Sequence, residues 1–212
     1  MLKFGIYVIQ EGKFRMARQK KLRKVWFTAD LHFNHDADFI YGPRGFKSVQ
    51  EMNKKIVENI NSAVSAEDDL YILGDLCLGG ISNELFAENR ALIESINARV
   101  HIVYGNHDTE RRKKMFAECQ NVVEICGYAT VFKRGKHRFY LSHYPTLTSN
   151  YDDGDGLSKK IINLCGHSHT DNRFEDIEKG VIYHVELDAH DNMPVSLEEI
   201  IEDLKLFLLD RK

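Results

Sequence analysis

The chain predicts an α/β fold, with two sheets packed face to face and helices outside. Two observations carry this. From Lys24 onward, strands and helices alternate as βαβαβα, the order that builds a mostly parallel sheet covered by its crossover helices. From about residue 121 the pattern turns strand-rich before one last helix, which calls for a second sheet. At 212 residues one domain is expected, and 43% hydrophobic with 29% charged residues are ordinary globular values.

The first strand is Val25-Trp26-Phe27-Thr28-Ala29. A loop over 30–47, rich in Asp, Gly and aromatics, follows it. Ser48-Val49-Gln50-Glu51 is a capping box that opens a helix, and Met52, Ile56, Ile60 and Val64 fall at helical spacing. A strand over 70–73 comes next. The following helix runs over 83–97, with Leu85, Phe86, Leu92, Ile93 and Ile96 inward. A strand over 100–104 and a shorter helix from Glu110 complete the alternation. Strands are then expected over 121–126, 128–133, 137–142, 161–165 and 181–187. A second capping box, Ser196-Leu197-Glu198-Glu199, opens a final helix carrying Ile200, Ile201, Leu204, Phe207 and Leu208.

Residues 1–23 read as an extension ahead of a domain over 24–212. In it Phe4, Ile6 and Val8 alternate, and Phe14 and Met16 offer a second short strand. The basic run of Arg18, Lys20, Lys21, Arg23 and Lys24 reads as a solvated lead-in to the core. Asp152-Asp153-Gly154-Asp155-Gly156 lacks the length and terminal Glu of a calcium loop.

Composition excludes several classes. A net charge of −3 gives no broad basic surface for nucleic acid, and the run at Arg18 to Lys24 is the one feature favouring a polyanion. No apolar run approaches the ~20 residues of a membrane helix, and the start lacks a signal-peptide pattern, so a cytoplasmic protein is expected. The cysteines, Cys77, Cys119, Cys126 and Cys165, form no C-x-x-C pair and read as reduced thiols in or near the core.

Five short segments carry residues that ligate metals or move protons: Asp30-Leu31-His32, Gly74-Asp75, Gly105-Asn106-His107-Asp108, His143 and Gly166-His167-Ser168-His169. Each follows a predicted strand, and the carboxyl ends of strands are where such sheets build sites. Asp30 and His32 share a side if the strand continues, which suits one metal. Gly74 lets the chain turn sharply before Asp75, whose two oxygens can bridge cations. Asn106 offers a hard oxygen, His107 beside it can face a substrate, and Asp108 can orient that imidazole. Half of the ten histidines fall in these segments. A single one would mean little; the ordered set means a great deal.

The pattern D-x-H, G-D, G-N-H-D, H, G-H-x-H resembles that of the calcineurin-like metallophosphoesterases, with every motif position filled, from about Lys24 to the last helix. Phe33-Asn34-His35, Leu141-Ser142-His143-Tyr144-Pro145 and Pro194-Val195-Ser196-Leu197-Glu198-Glu199 resemble a small bacterial and phage subgroup. The resemblance implies a four-layer α/β/β/α sandwich of two mixed sheets. It implies one metal on Asp30, His32, Asp75 and His169, and a second on Asp75, Asn106, His143 and His167, bridged by Asp75. Mixed Asp, Asn and His ligation suits divalent Mn²⁺, Fe²⁺, Zn²⁺ or Ni²⁺. Two such ions ~3.5–4 Å apart clamp an in-line displacement at phosphorus and make hydroxide available near neutral pH.

By the same resemblance His107 would protonate the leaving oxygen or stabilise the charge on the phosphoryl group, and Asp108 would hold His107 in position. His35 and Arg44, in the long loop beside the metals, are candidates to line the substrate side. The opening residues of the helix after His107 (Arg111, Arg112, Lys113 and Lys114) are expected to be mostly solvated. A small phosphorylated substrate is expected, a phosphodiester or nucleotide. The competing readings are a nuclease and a non-catalytic scaffold of the same fold, and the intact His107 argues against the second.

Overall fold

The computed structural model describes residues 23–80, 82–148, 160–175 and 181–209. The expected strands at 4–8 and 14–16, most of the basic run and the acidic loop at 152–156 lie outside those residues.

Four strands lie parallel in the first sheet: β1 (Val25–Thr28), β2 (Asp69–Leu73), β3 (Arg99–Val103) and β4 (Val122–Ile125). Short β10 (Val195–Ser196) runs antiparallel at the far edge, giving the order β10-β1-β2-β3-β4. The second sheet holds β5 (Ala129–Arg134), β6 (His137–Ser142), β7 (Ile161–Cys165), β8 (Phe174–Glu175) and β9 (Ile182–His184), in the order β5-β6-β7-β9-β8. There β6, β7 and β9 are parallel, and β5 and β8 are antiparallel edges. Both sheets are therefore mixed, as expected.

Helices α2 (Val49–Ala63), α3 (Asn83–Glu94) and α4 (Glu110–Glu118) are the crossovers of the first sheet. Ser48, Ser82 and Thr109 cap their first turns by accepting from backbone amides. The predicted stripe of α2 is the buried one: Met52, Ile56, Ile60 and Val64 pack with Leu70, Ile72, Val100 and Ile102 of the sheet. A second core lies between the sheets, where Phe27, Leu73 and Val103 meet Phe139, Leu141, Leu164 and Tyr183. Phe27 is fully buried there, stacked on Tyr71 at 5.5 Å and edge-on to Phe132 at 5.7 Å. The final helix, α5 (Leu197–Leu209), buries Leu197, Ile200 and Leu204 in this core, and Phe207 stacks on Phe174 of β8. Ser196 and Glu199 bond each other reciprocally at its start, as the capping box predicts.

Two expectations are corrected. The strand over 181–187 ends at His184, and Leu187–His190 form a 3-10 turn instead. The helix over 83–97 stops at Glu94, where the Ser95 hydroxyl bonds back to the carbonyl of Leu92. A short helix, α1 (Asp38–Tyr41), breaks the loop after β1.

The register places the site. Thr28 pairs with Ile72, and Leu73 with Val103, so β1, β2 and β3 end together. Ala29 bridges to Glu186 beyond β9, which joins the carboxyl edges of the two sheets at one line.

Candidate metal centre

All five segments emerge at that line. Strand geometry does not continue into the first one, which corrects the simple picture of Asp30 and His32 on one pleat. Both residues are left-handed, with φ of 57° and 50°. Asp75 (φ 53°), His167 (φ 76°) and His169 (φ 49°) are left-handed as well. Non-glycine residues avoid this region, and it persists only where surrounding bonds hold it. Here Asp30 N–H donates to Gly74 O at 3.1 Å, and His32 N–H donates to Asp75 O at 3.0 Å. The tight approach needs glycine: a Cβ on Gly74 would overlap His143 Nδ1, and one on Gly166 would overlap the Asp30 carboxylate.

His32 and His169 bring their Nε2 atoms to 3.1 Å. Asp30 Oδ1 lies 3.6 Å from the first and 3.7 Å from the second, and Asp75 Oδ2 lies 3.8 Å from His32 Nε2. The Nδ1 of His169 faces Asp188 Oδ2 at 3.0 Å, and the Nδ1 of His32 faces His35 Nδ1 at 3.0 Å. A proton on each Nδ1 satisfies those contacts and leaves both Nε2 lone pairs turned inward. Burial lowers the pKa of His32, which favours the neutral ring over the charged one. Asp30 is fully buried, and its Oδ1 has no hydrogen-bond partner among the described residues. Lone pairs converging with no donor between them are costly unless a cation sits there.

Beside this group lies another. Asn106 Oδ1 is 2.8 Å from His143 Nε2 and 2.9 Å from His167 Nδ1, and Asp75 Oδ2 is 3.4 Å from His143 Nε2. His143 donates Nδ1–H to Leu73 O at 2.8 Å, which turns its Nε2 inward. Asp75 Oδ2 thus faces both groups, while its Oδ1 accepts from His107 N–H at 2.9 Å. Ligand atoms of Asp30, His32 and His169 lie within 4.8 Å of one another, and so do those of Asp30, Asp75 and His143. The carboxylates call for positive charge. Burial opposes charge on His143 and His169, yet Asp75 and Asp30 raise the first to about 9 and Asp188 raises the second.

The structure brings together the seven expected ligands, and it moves two other residues. Arg44 was expected on the substrate side. Its guanidinium is buried behind the ligands, where Nε and Nη2 donate to Asp188 at 3.0 and 2.7 Å and Nη2 donates to Asp30 O at 2.8 Å. Asp108 was expected to orient the His107 ring. Instead its Oδ2 accepts from Gly105 N–H at 2.7 Å and Asp75 N–H at 3.1 Å, tying two ligand loops together. Burial pushes its pKa up to about 6, against those two amides. Among the described residues no hydrogen bond links its carboxylate to the His107 ring.

His107 and His35 stand on the open side. The His107 side chain is 42% exposed, with Nε2 3.9 Å from Asp75 Oδ2. The His35 ring lies 6.3 Å from it. Burial, with the neighbouring histidines and Arg44, lowers His35 to about 4, so it is a neutral ring at pH 7. Sequence reasoning missed Asp188, which no motif marks. It also did not single out Arg112 among the four basic residues of that helix start, although Arg112 is buried and donates to His107 O at 2.6 Å and Gly79 O at 3.1 Å.

A two-sheet α/β fold with His, Asp and Asn oxygens and nitrogens gathered at its shared carboxyl edge defines a class. The chain belongs to the calcineurin-like phosphoesterase family, whose model matches residues 23–205. It is 32% identical over 187 residues to an uncharacterised protein of Methanocaldococcus jannaschii, covering 85% of this chain and 91% of that one. The gene 66 protein of Mycobacterium phage D29 is 27% identical over 208 residues, covering 87% of this chain and 98% of its own. Among solved structures, a protein of unknown function from Aquifex aeolicus superposes with a TM-score of 0.63 at 24% identity, covering 85% of this chain and 99% of that one. That likeness concerns the fold.

Proposed function

We propose that the protein is a binuclear metal-dependent phosphoesterase acting on a small phosphate ester. The observation that carries this is the convergence of ring nitrogens and carboxylate oxygens around Asp75 Oδ2, with a buried, partnerless Asp30 Oδ1 among them. The inner position is assigned to Asp30, His32, Asp75 and His169, and the outer one to Asp75, Asn106, His143 and His167. Divalent ions bound there would offset phosphoryl charge and lower the pKa of a bound water towards ~7.

The protein's own groups do the rest. Asp75, fixed through Oδ1 by the His107 amide, keeps Oδ2 between the two positions. His107 faces the open side and is placed to give a proton to the leaving oxygen. Arg112 holds the His107 carbonyl, which steadies the ring's backbone. His35, next to His107, narrows the side on which the ester enters.

A phosphodiester or nucleotide is the proposed substrate class. Exposed Phe39 stands edge-on to His35 at 5.6 Å, and exposed Tyr144 stands edge-on to His167 at 4.6 Å. Rings beside an open centre suit a planar group on the ester. The proposed compartment is the cytoplasm, and the unpaired thiols support it. No described helix is long and apolar enough to cross a membrane.

The test is hydrolysis of a panel of phosphomonoesters, phosphodiesters and nucleotides by metal-free protein refilled with Mn²⁺, Fe²⁺, Zn²⁺ or Ni²⁺. Turnover that needs two ions per chain is expected. No metal-dependent turnover on any ester would overturn the reading. Short nucleic acids at low and moderate salt belong in the panel, because steeply salt-dependent binding with processive cleavage would make the protein a nuclease.

A further inference from the structure

Behind the inner group lies a buried ion pair that the motifs do not include. Asp188 comes from the 3-10 turn Leu187–His190, and Arg44 from the loop after α1. The Arg44 side chain is 1% exposed and that of Asp188 is 14% exposed. A buried pair of this kind is weak evidence for stability, because desolvating both charges costs about as much as their attraction returns. Its contacts indicate a different role. Asp188 Oδ2 lies 3.0 Å from His169 Nδ1 and also accepts from Arg44 Nη2 at 2.7 Å. That same Nη2 donates to the carbonyl of Asp30 at 2.8 Å. One guanidinium therefore spans from the backbone of one inner residue to the carboxylate that backs another. Asp30 and His169 are both left-handed, so both need outside bonds to keep their shape.

We infer that Arg44 and Asp188 are the positioning residues of the inner cation position. Asp188 holds His169 with its proton on Nδ1 and its Nε2 lone pair turned to His32 and Asp30. Arg44 holds Asp188 by both oxygens and pins the Asp30 backbone at the same time. A lysine could not do this, since a single ammonium does not reproduce the planar fork. The outer group has its own support: His143 is backed by Leu73 O, and the pair reaches that group only at second hand, through Asp30, whose Oδ2 accepts from His167 N–H at 2.8 Å. Disturbing the pair should therefore loosen one cation and spare the other. The inference rests on the two-cation reading above.

The experiment uses the full chain, stripped of metal and titrated with Mn²⁺. Calorimetry counts sites and affinities, and electron paramagnetic resonance separates a coupled Mn²⁺ pair from a single ion. Supporting partners of ligating histidines set metal affinity by about 10–100-fold. Asp188→Ala and Arg44→Lys should weaken one of two sites by about that factor, leave the other unchanged, and replace the coupled signal by a single-ion one at limiting metal. Asp188→Asn keeps an oxygen for His169 in the same volume, so it should recover part of the affinity. It also remains informative if Asp188→Ala does not fold. Two sites of unchanged affinity in Asp188→Asn and Arg44→Lys, with only a lower melting temperature, would overturn the inference and leave the pair a structural one. Equal weakening of both sites would overturn it too. A wild-type chain that binds no pair of ions would instead remove the two-cation reading itself.

Discussion

The two halves of the proposed centre share Asp75 and are tied together by Asp30, whose Oδ2 accepts from His167 N–H at 2.8 Å, yet they are built differently. The inner half is anionic and mostly buried, with only His169 partly exposed. Asp30 is fully buried, His32 is 2% exposed, and a buried Arg44–Asp188 pair backs His169. The outer half is more open: Asn106 and His167 are exposed, while His143 stays buried with a backbone carbonyl behind it. The backbones differ in the same sense. Asp30, His32, Asp75 and His169 are all left-handed, whereas of the outer residues only His167 and the shared Asp75 are. Each such residue costs on the order of 1–3 kcal/mol. The difference teaches that the fold concentrates strain, charge and supporting bonds around the proposed inner cation position. On the proposed reading it leaves the accessible Asn106 and His167 on the side where a substrate would enter.

The most severe way to break the comparison is to remove what both halves share. Asp75→Asn should abolish turnover and prevent stoichiometric binding of either ion, measured as metal per chain beside activity. Two retained ions with normal turnover would show that Asp75 bridges nothing. Next in size is His107→Ala. The ring touches the open side of the centre and belongs to neither half, so kcat should fall by ~10²–10⁴, the usual cost of a lost general acid. Metal content should stay near two per chain. A parallel loss of metal would move His107 into the ligand set.

These expectations rest on residues that the sequence displayed unevenly. The ordered motifs were readable because each stands just past an apolar strand run, and parallel pairing with ends in register does the rest. The helix stripe of Met52, Ile56 and Ile60 was readable because periodicity is local. The left-handed turns were not, since an Asp or His two residues past a strand carries no mark of its φ. Asp188 was hidden for another reason: it meets Arg44 across 144 positions, and no spacing rule reaches that far. Arg112 could not be told from its basic neighbours, Arg111 and Lys114, which are exposed, because nothing local marks that its own side chain turns back to the His107 carbonyl.

A smaller effect sharpens the inner–outer contrast directly. His167→Ala removes one neutral, exposed ligand from the outer half. Its ion should weaken by at least the ~10–100-fold that loss of a mere supporting partner causes. Activity should return when metal is raised, and the inner ion should survive dialysis. Loss of the inner ion before the outer one, followed by metal analysis during chelator titration, would reverse the proposed order of retention.

The smallest effect concerns Asp108, and it separates two accounts of one residue. If Asp108 oriented the His107 ring, Asp108→Asn would cost nearly what His107→Ala costs. Its Oδ2 instead accepts from the amides of Asp75 and Gly105, so it ties the loop that follows β2 to the loop that follows β3. An Asn keeps one oxygen for those amides, and kcat should stay within the same decade as wild type. Asp108→Ala leaves both amides without a partner, and each buried orphan costs ~1–3 kcal/mol. That variant should unfold at lower urea and hold metal less well, because the Asp75 loop loses its tether. Measuring kcat and urea stability for the two variants together decides the matter. A large kcat loss in Asp108→Asn with unchanged stability would return Asp108 to the side of His107, and would make the tether incidental.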